Sequence, residues 1–208
     1  MTETVYRRYT DLPSLVAMLT HGELTLLDPT SWDDKNDSFF LEQYRTKKDL
    51  QSLLALCFTT ASETYHHWRV FSSGPSGVCV WFTEDGLKSA LSKVSGVKMR
   101  KIEYLTVKQI RDRKLTVAKL PFVKRYPFKP ESEVRVLWES KTQSKASLQI
   151  PFDSSAISRI SLSPWIHPSL TDSLKALLRG LPECRHYKIY RSTLIGNAEW
   201  KRHGRAAI

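Results

Sequence analysis

The chain has 208 residues, with 32 Lys and Arg against 21 Asp and Glu, for a formal net charge of +11. Its 41% hydrophobic and 11% aromatic content excludes an intrinsically disordered chain, and its length suits one sizeable core. No run of 18 apolar residues occurs, so no membrane-spanning helix is predicted.

Val5 to Tyr9 reads as a short strand carrying two arginines. Thr10 or Asp11 can cap the helix that follows, with Pro13 in its first turn. Leu12, Leu15, Val16 and Leu19 recur at helical spacing, and His21-Gly22 ends the run. Leu24 to Leu27 gives a second strand. Residues 28–37 form an aspartate-rich loop without the spacing, central glycine or terminal glutamate of an EF-hand. The apolar run Leu50 to Thr59 leads into a buried strand through Leu54–Phe58, and Ser62 to Phe71 reads as a helix with Trp68 in its middle. Gly74 to Gly77 is a turn. Val78 to Phe82 is continuously apolar, as a central strand is. Thr83-Glu84-Asp85-Gly86 opens a helix bearing Leu87, Ala90 and Leu91, and Val97 to Tyr104 is a strand.

Pro121, Pro127 and Pro130 oppose a regular helix across 119–130. Strands follow at Glu133–Glu139, Leu148–Phe152, Ile157–Leu162 and Tyr187–Tyr190. Leu170 to Leu178 has amphipathic helical spacing and ends at Gly180-Leu181-Pro182. The order predicts a mixed α+β single domain over residues 1–196. The basic tail 197–208 is expected to fray, with Trp200 as its one anchor.

Cys57, Cys79 and Cys184 are few, odd in number and far apart, which gives neither a disulfide framework nor a zinc pattern. With an acidic N-terminus that lacks a secretory signal, they predict a reducing, cytoplasmic setting. His66 and His67 point about 100° apart on a helix and make a poor metal pair. No phosphate loop, nucleophile elbow or kinase signature occurs, and no metal is predicted.

Charge is uneven. Residues 98–129 hold 11 basic and 2 acidic residues, a field that attracts nucleic acid or an acidic protein. Lys98, Arg100, Lys101, Arg111, Arg113, Lys124 and Arg125 are the candidate phosphate contacts, with Tyr126 and Phe128 as stacking surfaces.

Glu131-Ser132-Glu133-Val134-Arg135 has two carboxylates and a guanidinium at alternate positions. In an extended strand all three share a face, which is either a solvated edge or the wall of a site. Tyr6-Arg7-Arg8-Tyr9 places one arginine on each face of the first strand, and a guanidinium fork suits a diphosphate.

The order of these pieces resembles the DUF2971 family of bacterial and phage-borne proteins. The marks are Tyr6-Arg7-Arg8-Tyr9, Gly22-Glu23-Leu24 with Asp28-Pro29 and Asn36-Asp37, Cys57-Phe58, Trp68 with Gly77 to Phe82, and Glu131 to Arg135. The chain departs from the family at Asn36-Asp37-Ser38-Phe39-Phe40, where the family has Asn-Asp-Pro-Phe-Glu. More distantly, the layout resembles ADP-ribosyltransferases of the DarT type, with an ADP-ribosyltransferase-like split β-sheet core and flanking helices. That resemblance implies NAD as cofactor, with its diphosphate on Arg7 or Arg8 and an aromatic such as Tyr44, Tyr65 or Trp68 near the nicotinamide. It also implies Glu133 as the catalytic carboxylate and Glu131 as the group that positions or deprotonates a nucleic acid or protein acceptor. Arg135 is then expected to pair with a carboxylate. The rival readings are a non-catalytic nucleic-acid-binding or host–phage interaction module and, more weakly, a hydrolase using Asp33, Asp34 and Asp37.

Overall fold

A computed structural model describes residues 4–206. β1 (Val5–Asp11) ends where Asp11 caps α1 (Leu12–His21), its Oδ1 accepting from the Ser14 N–H at 2.7 Å. Gly22 closes that helix at φ 64°, a left-handed conformation that glycine adopts without strain. β2 (Glu23–Leu27) follows, then a one-turn 3-10 segment, then α2 (Lys35–Lys48). Helix α2 lacks an apolar stripe, and sequence periodicity does not reveal it. Asp34 starts it by accepting from the N–H groups of Asn36 and Asp37, and it buries only Asp37, Leu41 and Tyr44.

β3 (Ser52–Thr59), α3 (Tyr65–Phe71), β4 (Gly77–Thr83) and α4 (Glu84–Ser92) follow the expected order. The strand expected over 97–104 divides into β5 (Lys98–Lys101) and β6 (Glu103–Leu105). α5 (Val107–Asp112) and β7 (Val123–Arg125) precede β8 (Glu133–Ser140). The prolines hold the flanks of β7 in 3-10 turns over Val117–Phe122 and Tyr126–Glu131. β9 (Ser147–Pro151), β10 (Ile157–Leu162), α6 (Pro168–Arg179), β11 (Ile189–Arg191) and α7 (Ala198–Ala206) complete the chain. The tail expected to fray is helical over Ala198–Ala206, and Trp200, expected as its anchor, is 81% exposed.

The molecule is a mixed α+β single domain built on a large, mostly antiparallel sheet. Strands run β11-β10-β4-β1-β3, and β3 pairs with β8 along its whole length. The other edge of β3 is shared, with β1 meeting it at Thr59 and β2 at Ala55. Between those points Leu56, Cys57 and Phe58 have no strand on that edge, so the sheet splits there.

Helices α1, α4 and α6 cover one sheet face, where Leu15, Leu87 and Leu178 pack with Phe58, Val80, Phe82 and Val136. α2 and α3 cover separate parts of the other face, through Leu41 and Tyr44 on one side and Trp68 on the other. The sheet face between them is left for charged residues.

α2 is tied to that face by one ion pair. Arg135 of β8, completely buried, donates Nη1 to Asp37 Oδ1 at 2.9 Å and Nη2 to Oδ2 at 2.6 Å. Arg135→Met would leave the buried carboxylates of Asp37 and Glu133 with Lys124 as their one shared cation among the described residues, so urea unfolding should show a loss of about 3 kcal/mol. Adding Asp37→Asn to Arg135→Met should return part of that loss as coupling energy. Equal stability of Arg135→Met and the parent would refute the tether.

Candidate active site

Cross-strand register sets the site's geometry. Glu133 pairs with Thr59, Thr59 with Arg7, and Arg7 with Trp81, so these four side chains share one sheet face. Strand parity puts Arg8 on the opposite face. Even so, one cavity of about 490 Å³ is lined by Arg7, Arg8, Cys57, Glu131 and Glu133 together. The split makes this possible, because residues of both faces (Cys57 and Thr59, Leu56 and Phe58) line the cavity where β1 and β2 part. Its rim comes from the loop before α2 (Ser31 to Asp34), the end of α3 (His67, Val70, Phe71), and Lys124 and Phe128.

Glu133 is 6% exposed, and both its carboxylate oxygens are engaged. Oε1 accepts from Arg135 Nε at 2.8 Å and from the Cys57 thiol at 3.1 Å, while Oε2 accepts from Lys124 Nζ at 3.3 Å. Burial pushes this carboxyl up, but the charges of Arg135 and Lys124 outweigh burial and hold it at about 2. Burial and the neighbouring Glu133 charge push the Cys57 thiol up, so it stays protonated as a donor.

Glu131 reaches the same place by a different path. The alternation that would align it with Glu133 does not extend to it, because Glu131 ends a 3-10 turn and β8 starts at Glu133, where the expected strand over Glu133–Glu139 also starts. Ser132 between them is left-handed, at φ 45° and ψ 45°, which turns the chain. Lys124 then gathers the Glu131 side chain, donating to Oε2 at 2.7 Å. Burial raises the Glu131 carboxyl above the usual range, with Lys124 opposing the rise. Two carboxylates in one cavity are thus driven in opposite directions, a pattern that separates acid and base roles.

His67 joins the site through the backbone. Its Nε2 lies 3.2 Å from the Glu131 carbonyl, which can only accept, so Nε2 carries the proton. Nδ1 then accepts from the Thr64 hydroxyl at 2.6 Å. Burial lowers the pKa of this ring and keeps it neutral, with both nitrogens committed.

The two arginines differ. Arg7 donates Nη1 to the Ala61 carbonyl at 2.8 Å and stacks on Trp81 at 4.1 Å, while its buried Nε has no partner. Arg8 has no carboxylate or hydrogen-bond partner among the described residues, and desolvation lowers the pKa of its guanidinium.

The three expected aromatics lie outside the cavity lining. Trp68 is fully buried against Tyr9 and donates Nε1 to Glu63 at 2.6 Å. Tyr44 packs under α2 and donates its hydroxyl to Glu139 at 2.5 Å. Tyr65 is exposed and meets Trp165 edge-on. The aromatic lining consists instead of Tyr9, Phe58, Phe71, Trp32, whose ring lies 4.9 Å from the Arg135 guanidinium, and Phe128, 4.9 Å from the Lys124 ammonium.

The basic candidates divide as well. Lys124, with a side chain only 9% exposed, sits among carboxylates and not on an outer phosphate-binding surface. Lys98 pairs with Glu139 and Arg113 with Glu103. Arg100, Lys101, Arg111 and Arg125 are exposed. Among the described residues, no group of three or more His, Cys, Asp or Glu side chains is arranged to hold a metal ion, and no helix is long and apolar enough to cross a membrane.

Sequence reasoning named Asp37 only in the rival hydrolase reading, and it missed Cys57 and His67 as site residues. Asn36-Asp37 and Cys57-Phe58 did stand out as motifs. Period-two alternation along β3 puts Cys57 on the face of Thr59, but nothing local announces His67.

No family model matches the chain, so the DUF2971 resemblance has none behind it. No curated protein matches it. Solved structures similar to it include Thermus sp. 2.9 DarT in complex with NAD+, at 11% identity over 92% of this chain and 96% of that one, TM-score 0.47. The same protein in complex with carba-NAD+ is 9% identical over 92% and 97%, TM-score 0.48. In complex with ADP-ribosylated ssDNA it is 8% identical over 91% and 94%, TM-score 0.47.

Proposed function

We propose that the protein is an NAD-dependent ADP-ribosyltransferase acting on a nucleic acid or protein acceptor. One observation carries this reading: a single cavity is lined both by a buried, ionised glutamate, Glu133, and by a guanidinium, Arg8, that has no hydrogen-bond or ion-pair partner among the described residues. The residues fit a dinucleotide. Arg8 suits a diphosphate, Arg7 lines the same cavity with its Nε unpartnered, and the carboxylates suit the positively charged nicotinamide ribosyl end.

When bound, the dinucleotide supplies an ADP-ribosyl group whose bond to nicotinamide breaks with the electron pair leaving on the nicotinamide nitrogen. Glu133 places fixed negative charge where the sugar becomes positive, and preorganised charge of this kind lowers a barrier most when water is excluded. Arg135 and Cys57 keep that carboxylate still. Glu131, whose carboxyl is pushed upward, accepts the proton of the attacking acceptor group. Arg7, braced on Trp81, supports the anion-binding wall.

The exposed Arg100, Lys101, Arg111 and Arg125 favour an acidic acceptor or partner, and they also fit the non-catalytic binding module. Incubation of purified protein with NAD+, read by mass spectrometry, separates the two. Nicotinamide release should fall by about a hundredfold or more in Glu133→Gln with the folded fraction preserved. Parent protein that binds nucleic acid but releases no nicotinamide would falsify the enzymatic reading.

A further inference from the structure

Lys124 is the group in this site that neither the fold nor the proposed chemistry explains. It enters from β7, which pairs with β6 in a separate two-stranded sheet. Its ammonium stands 2.7 Å from Glu131 Oε2, 3.3 Å from Glu133 Oε2 and 3.8 Å from Asp37 Oδ2. Phe128 closes over it at 4.9 Å. Arg135 already serves Glu133 and Asp37, but it forms no ion pair with Glu131. Lys124 is therefore the one ion-pair partner that Glu131 has among the described residues.

We propose that Lys124 is a positioning residue whose ammonium, shared between Glu131 and Glu133, keeps Glu131 ionised and so able to take the acceptor's proton at neutral pH. The proposal rests on the ADP-ribosyl-transfer reading and names the group that tunes its base.

The electrostatic setting is set by every element packed here. Glu131 faces Lys124 from β7, Glu133 from β8 and Asp37 from α2, with the neutral His67 of α3 bound at its backbone carbonyl. Glu133 faces Arg135 on its own strand, Cys57 from β3, Lys124 from β7 and Asp37 from α2, and its N–H donates to the Tyr104 hydroxyl of β6 at 2.8 Å. Without Lys124, Glu131 keeps two carboxylate neighbours and its burial but loses its cation. Burial and the two carboxylate neighbours then favour the protonated form, which cannot accept a proton. Glu133 retains Arg135 and stays ionised. The loss should thus fall selectively on Glu131.

The test uses the full chain, with Lys124→Met and Lys124→Arg. Nicotinamide release in the presence of acceptor would be followed from pH 5 to 9, alongside carboxyl-carbon NMR titration of Glu131 and Glu133. In Lys124→Met the Glu131 midpoint should rise by about one unit or more, and the acid limb of the rate profile should rise with it. Lys124→Arg should restore both. A residue that only supports the fold would lower the folded fraction and leave the Glu131 midpoint in place. An unmoved midpoint in folded Lys124→Met, or an equal rise in Lys124→Arg, overturns the proposal. Should Lys124→Met not fold, Lys124→Gln is read by the same midpoint. If the parent releases no nicotinamide, the transferase reading fails by that result, and the midpoint still judges Lys124.

Discussion

A guanidinium with no exposed surface must be matched by nearby negative charge, because an unpaired charge in a protein interior costs several kcal/mol. Arg135 meets that requirement with Asp37 on one side and Glu133 on the other. Much of the site follows from this. Asp37 brings the start of α2 onto the sheet, and with it Trp32, Asp33 and Asp34 reach the cavity rim. Glu133 is held as an anion, although its burial alone would favour the neutral acid. The pair thus has both a structural and an electrostatic consequence, and neither is separable from the other.

The split sheet supplies the second half of the arrangement. A continuous sheet would put Arg7 and Arg8 on opposite sides of a wall, with only one of them available to a ligand near Glu133. Here β1 and β2 leave the middle of β3 uncovered, and the cavity takes residues from both faces. Hence two chemically different arginines meet one space. Arg7 is fixed by a carbonyl and an indole, whereas Arg8 is left with no ion pair among the described residues.

Period-two and continuous apolar patterns made the central strands legible. Val78–Phe82 reads directly as β4, and Glu133–Glu139 as β8. Helix α2 was not legible, since its buried face is an aspartate, a leucine and a tyrosine, and its stability comes from Asp34 and from the tertiary pair to Arg135. Glu133 and the two arginines stood out because charges in strands need an explanation. The aromatic candidates Tyr44, Tyr65 and Trp68 lie outside the cavity lining, because a large ring serves a core as well as a ligand, and local sequence does not say which. Lys124 was ambiguous for a similar reason. Its neighbours in sequence are basic, but its neighbours in space are acidic.

Direct binding tests the central claim, that this cavity holds an anionic dinucleotide against Arg8 with Glu133 lining the same space. Calorimetric titration of NAD+ into the parent protein and into Arg8→Ala measures it. The account predicts saturable one-site binding in the parent, weakened about tenfold or more in Arg8→Ala, a loss of at least about 1.4 kcal/mol, with thermal unfolding little changed. Absence of binding in the parent, or the same affinity in both proteins, would contradict it.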